Sequence, residues 1–157
     1  WLNLNKQLAV YLILLLVFIV GSIYNFRIRK QCVYSIKLTK SRLIILIIIP
    51  LIFLSIAYYI GRNSWNNYIL AISAGIFVIS AGVGEGIHER GIYYHPPGII
   101  LLAKLAKWED IRDSELDINK NKLKSFKIKT TTMFADQYYS KDINEINEYI
   151  KIKTKKN

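Results

Sequence analysis

His88 and His95 are the only histidines of this 157-residue chain, and Cys32 is its only cysteine. Glu85, His88 and Glu89 would share one face if their segment were helical, which raises the question of a metal site. A zinc helix of the His-Glu-x-x-His type needs a second histidine at position 92, which is Ile. No cysteine pair supplies thiolates instead. These residues are read as a polar cluster beside a membrane span. Gly82-Val83-Gly84-Glu85-Gly86 is glycine-rich, but it ends an apolar run and follows no strand. It is therefore neither a phosphate loop nor a dinucleotide fingerprint. Glu109, Asp110, Asp113, Glu115 and Asp117 lack calcium-loop spacing and read as a solvated strand face. No Ser/His/Asp or Cys/His set stands out. The expectation is a protein without catalytic residues, metal or cofactor, and not an enzyme.

The elements that carry these residues fall into two materials. About half of the chain is apolar, yet its net charge is +11. All acidic residues lie from Glu85 onward, and the apolar residues are concentrated before it. Three blocks, 8–24, 43–60 and 68–83, contain no charged residue. Each is roughly 16–18 residues long, against the ~20 that cross a bilayer, a gap that extension at the ends or local thinning closes. A soluble helix would show a polar stripe, and these blocks show none. The first is not read as a cleaved signal, because its basic residues follow the apolar run. The chain starts at Trp1 and not Met, so a trimmed or altered natural start is expected. Heavy use of Ile, Lys and Asn points to a bacterial source.

The loop between the first two blocks holds Arg27, Arg29, Lys30, Lys37, Lys40 and Arg42, and no acid. The positive-inside rule makes that loop cytoplasmic, with the N-terminus outside and residues 85–157 inside. Tyr58, Tyr59, Trp65 and Tyr68 then cluster at the outer surface, where amphipathic rings favour the headgroup layer. The six cations are also candidate contacts for anionic lipid, although topology alone accounts for them. Pro50 is expected to kink the second span. Ala71/Gly75 and Gly82/Gly86 have small-xxx-small spacing, which lets helices approach closely, within the unit or across a dimer.

Beyond Glu85 the pattern turns to strands. Gly91–His95 reads as a strand and His95-Pro96-Pro97-Gly98 as a turn. Ile99–Trp108 reads as a buried strand, with a helix lying on the membrane as the alternative. In 115–118, Leu116 and Ile118 share a face. In 124–130, Phe126 and Ile128 do the same. Asn119-Lys120-Asn121 between them is turn chemistry, so a hairpin pairing acids with lysines follows. Residues 131–139 read as a further strand. A helix over 141–153, capped by Ser140, carries Ile143, Ile146 and Ile150 as one stripe. Trp108, Phe126, Ile128 and those three isoleucines are the expected core.

The run Glu89-Arg90-Gly91-Ile92-Tyr93-Tyr94, then Trp108-Glu109-Asp110-Ile111, then Phe126-Lys127-Ile128-Lys129 and a closing Ile-rich helix resembles a bacterial PH-like domain. Such domains follow transmembrane helices in small bacterial multi-span proteins. The resemblance covers roughly residues 85–153. The chain departs from the pattern in its longer apolar stretch 97–107, and about 70 residues are few for a complete PH-like barrel. The expected fold is thus three transmembrane helices (1–84) followed by a small α+β PH-like domain (85–157), an antiparallel sheet with a C-terminal helix. The implied role is a membrane-anchored interaction or regulatory module, with membrane lipids and a protein at the cytoplasmic face as partners. An immunity protein against a membrane-active bacteriocin is the alternative, on architecture alone. Nucleic acid is not an expected partner, because the soluble half mixes both signs of charge.

Overall fold

The computed structural model describes residues 2–62, 64–98 and 101–155, with side chains from Lys6 onward. Three long helices lead: α1 (Leu2–Gln31), α2 (Lys40–Tyr59) and α3 (Trp65–Val83). All three are long and apolar enough to cross a membrane. Their outward residues are bare: Leu16 is 63% exposed and Ile44 56%. So large an apolar surface is stable against lipid and not against water. Helix α1 runs well past its apolar block at both ends, and its last turns carry Arg27, Arg29 and Lys30.

Helix α3 packs against α2 through its own glycines and against α1 through a glycine of α1. A side chain at Gly21 of α1 would strike the Phe77 ring, and one at Gly82 would strike Leu46 of α2. Pro50, inside α2, sits where a Cβ at Gly75 would come within 3.0 Å of it. Thr39 caps α2, its hydroxyl accepting from the Arg42 amide at 3.3 Å.

The rest of the chain forms two antiparallel sheets and a helix. The first sheet has the order β1 (Tyr34–Ser35), β2 (Gly86–His88), β3 (Gly91–Tyr94), β4 (Lys104–Lys107). The second has β5 (Ile111–Asp117), β6 (Lys122–Ile128), β7 (Thr131–Tyr138). Helix α4 (Ile143–Lys155) closes the structure with Ile143, Ile146 and Ile150 fully buried. They meet Ile87, Ile92, Trp108, Leu123 and Phe126 in one core.

Strand β1 comes from the loop between the first two spans. Tyr34 and Ser35 pair with Ile87 and Gly86. The next residue, Ile36, bridges to Tyr139, and the Lys37 amide donates to the Tyr138 carbonyl at 2.7 Å. This four-residue stretch therefore joins one sheet to the other. The sheet structure draws on residues from both sides of Gly84, so the change of composition there is not a break in the fold.

Several expectations change in detail. Within 99–108, only Lys104–Lys107 is strand; Trp108 opens a short 3-10 turn, and Ile99 and Ile100 lie outside the described residues. Ile118 is exposed, because β5 ends at Asp117 and Ile118 opens the turn to β6. Ile128 is only partly buried. Ser140 does not cap α4. Asn121 takes that role from the β5–β6 turn, its Oδ1 accepting from the Ile143 amide at 2.8 Å, and Asp142 accepts from the Asn144 amide.

Candidate functional site at the membrane junction

Several buried polar residues, Asn25, Ser80 and Glu85 among them, gather where the helices meet the sheets. Glu85 follows the last turn of α3, and its side chain is only 5% exposed. The Arg42 guanidinium, in the first turn of α2, donates to Oε2 at 2.6 Å. His95, just past β3, shares a hydrogen bond of 2.6 Å between Nδ1 and Oε1. Burial is the largest influence on this carboxyl and raises its pKa. His95 and Arg42 together outweigh it and hold the group below the usual carboxylate range. Glu85 is thus an anion that ties the start of one span, the end of another and the first sheet.

Arg29 performs a second tie. Its Nη1 donates to the carbonyls of Ile36 and Val83, each at 3.3 Å. Val83 ends α3, so a cation meets the helix terminus where carbonyls lack intrahelical partners. One turn earlier on α1, Asn25 is fully buried and donates to Ser80 Oγ at 3.2 Å and to the Leu101 carbonyl at 3.0 Å. Tyr24 donates to the Ala103 carbonyl at 3.1 Å. These bonds hold the apolar β3–β4 loop against α1.

Beneath the ion pair lies a neutral layer. Tyr139 donates to Gln137 Oε1, and Gln137 Nε2 donates to the Tyr93 carbonyl at 2.7 Å. Burial raises the Tyr139 phenol well above its ordinary value, and the charges of Glu85 and Cys32 add to the rise. Burial also pushes the Cys32 thiol up to about 11, with Arg29 pulling the other way. A thiol that stays protonated at neutral pH is a poor nucleophile. Gly86 belongs to this layer: its φ is +146°, and a Cβ would lie 2.6 Å from the Tyr34 carbonyl. The approach of β1 to β2 requires glycine there.

The residues singled out from the sequence separate. His88 lies in a strand, not on a helix beside Glu85; its Nδ1 accepts from the Arg90 amide and its ring meets Tyr93 edge-on. Burial, then the Arg90 charge, lowers its pKa. Glu89 offers its carbonyl to the Trp108 indole at 2.8 Å. Glu115 binds Lys124 at 2.7 Å across the hairpin, as charge pairing required, while Asp113 and Asp117 accept from nearby amides. Of the six loop cations, Arg29 and Arg42 are engaged inside the junction, whereas Arg27, Lys30, Lys37 and Lys40 are exposed. Ala71, Gly75 and Gly82 lie on α3, and Gly75 and Gly82 meet α2 of the same chain. Gly86 lies in β2 and packs on β1.

Sequence reasoning missed Asn25, Gln137, Tyr139 and the Arg42–Glu85 pair. One signal was available: Glu85 is the first acid after 84 residues without one, directly beside a span. Charge neutralisation by a loop arginine is its natural counterpart.

No family model, curated protein or solved structure matches this chain. The hydrogen bonds of the junction run between helices and sheets. What its geometry does is fix one body to another.

Proposed function

We propose that this chain is a membrane-anchored interaction or regulatory module that presents a PH-like domain at the inner face of a bacterial cytoplasmic membrane. The N-terminus and the α2–α3 turn face outside; the sheets face the cytoplasm. The basic loop 25–42, opposed by Arg62 alone in the short loop, supports that orientation. Four antiparallel strands, then three, closed by a C-terminal helix, support the PH-like assignment.

The observation that carries the proposal is the seam formed by Tyr34–Lys37. A domain on a flexible linker would sample every tilt. Here the anchor itself contributes a strand, so the domain holds one height and one orientation above the lipid. The charge-free blocks of the spans offer no path for ions, which fits an anchor better than a transporter. Phe134, 73% exposed on the edge strand β7, is a contact point for a protein partner.

The test places single cysteines at Asn66 or Lys120 in a Cys32→Ala background and applies an impermeant maleimide to intact cells. Labelling at 66 and not at 120 is expected; the reverse overturns the orientation. A photo-crosslinker at position 134 then looks for a partner. A specific adduct supports the module. Protection of cells from a membrane-active peptide, with no adduct, would replace it by the immunity reading.

A further inference from the structure

A pocket of about 220 Å³ opens along the seam where the β1 stretch joins the two sheets. Its walls come from three places: Arg29 near the end of α1, residues 33–36, and Tyr139, Ser140 and Lys141 between β7 and α4. Both charged residues that line it are cations, and no acid lines it. Neither Arg29 nor Lys141 forms an ion pair with a described residue. The acids that come near in the fold are engaged otherwise. Glu145 accepts from the Tyr34 hydroxyl at 3.0 Å, and Asp142 accepts from the Asn144 amide at 2.9 Å.

Arg29 is held in place but not neutralised. Its two hydrogen bonds both leave from Nη1, and both end on uncharged carbonyls. Its Nε and Nη2 bond no described residue and, unlike Asn25 Oδ1 and His95 Nε2, are not sealed from solvent. That edge of a guanidinium grips an oxyanion with two parallel bonds. Ser140 adds a hydroxyl. It does not cap α4, it is exposed, and it bonds no described residue.

The lining thus offers hydrogen-bond donors and two positive charges. Its complement is a group that accepts only and carries two negative charges. A phosphomonoester carries about −1.5 to −2 at neutral pH. A carboxylate or a phosphodiester carries one charge and leaves a cation unmatched. The volume limits what is attached to the phosphate. It falls below the roughly 300–1,000 Å³ of sites for drug-sized ligands, so the attached group is small.

We propose that this pocket binds a phosphomonoester, its oxygens held by the Nε–Nη2 edge of Arg29, by Lys141 Nζ and by the Ser140 hydroxyl. Two sources carry that chemistry on the same short backbone: glycerol phosphate in solution and phosphatidic acid in a leaflet. Either would bridge the β1 stretch and the β7–α4 link and so close the seam. The inference goes beyond the anchored-module reading and needs neither its orientation nor a protein partner.

The experiment titrates the full chain, in uncharged detergent micelles at constant ionic strength, by calorimetry. The probes are glycerol phosphate and, separately, short-chain phosphatidic acid. Short-chain phosphatidylglycerol, a phosphodiester, is the charge control. Saturable binding of at least one phosphomonoester is expected, about tenfold tighter than the control. Binding of phosphatidic acid alone supports the proposal with a leaflet source; binding of glycerol phosphate supports it with a soluble one. Lys141→Gln should weaken binding about tenfold, and Lys141→Arg should preserve it. Arg29→Lys should weaken it too, because an ammonium lacks the fork. Arg29 also braces α3, so the exposed Lys141 decides if that variant melts early. No saturable binding of either phosphomonoester, no preference over phosphatidylglycerol, or unchanged affinity in Lys141→Gln overturns the proposal.

Discussion

Replacing Glu85 by Gln keeps the side chain's shape and removes its charge. Two short hydrogen bonds, to Arg42 and His95, then lose their anionic acceptor. Removing one member of a buried pair costs about 3–5 kcal/mol when the other charge stays buried. Arg42 is 30% exposed and regains part of its hydration, which brings the expected loss to about 2–3 kcal/mol. For a chain of this size that lowers the melting midpoint by roughly 4–10 °C. The readout is thermal unfolding in micelles, followed by fluorescence of Trp108, which is buried in the core. The pH dependence gives an independent sign. Because the folded carboxyl sits below its ordinary value of 4.5, its stabilisation is complete above that pH. It is lost as pH falls through the lower, folded value. The wild type should therefore lose stability on acidification faster than Glu85→Gln, and the two curves should converge. A midpoint shift under 2 °C at neutral pH, with parallel acid curves, would refute the claim that this anion holds the junction together.

Ile36→Ala should destabilise the sheets by about 3 kcal/mol although it lies between two spans, because Ile36 is 2% exposed in the core; unfolding monitored at Trp108 checks it. Asn121→Ala should cost about 2 kcal/mol, since its side chain bonds the carbonyls of Tyr139 and Lys141 and the Ile143 amide, and helix α4 should fray first by hydrogen exchange. Cys32 should react with iodoacetamide at pH 7.5 at least about tenfold more slowly than a cysteine placed at Lys120, because its thiol is pushed up to about 11; equal rates would remove the buried environment assigned to it.

The spans were legible because lipid demands long charge-free runs, and nothing else in a chain this small produces three of them. Helix α4 was legible because Ile143, Ile146 and Ile150 repeat at helical spacing. The β5–β6 hairpin was visible, but its register was not. A shift within β6 buries both Leu123 and Phe126, three residues apart, and alternation has no sign for such a slip. Strand β1 was invisible for a different reason. Two residues in a basic loop carry no period, and their pairing is decided by Gly86, far along the chain. Asn25 likewise reads as the polar end of a span; only the returning β3–β4 loop makes it a buried donor.

The contribution of β1 also sets an order of events. Helices α1 and α2 hold both ends of the loop 32–39, so the strand is confined before the later strands exist. The entropy cost of bringing Ile36 to Tyr139 is then lowered by that confinement, which favours closing the second sheet onto the first. Severed from the spans, residues 85–157 would leave β2 as a bare edge with Ile87, now fully buried, open to solvent and to other chains. The sheet half is therefore not a portable unit. Its first sheet is complete only with Tyr34 and Ser35, which the loop between the first two helices supplies.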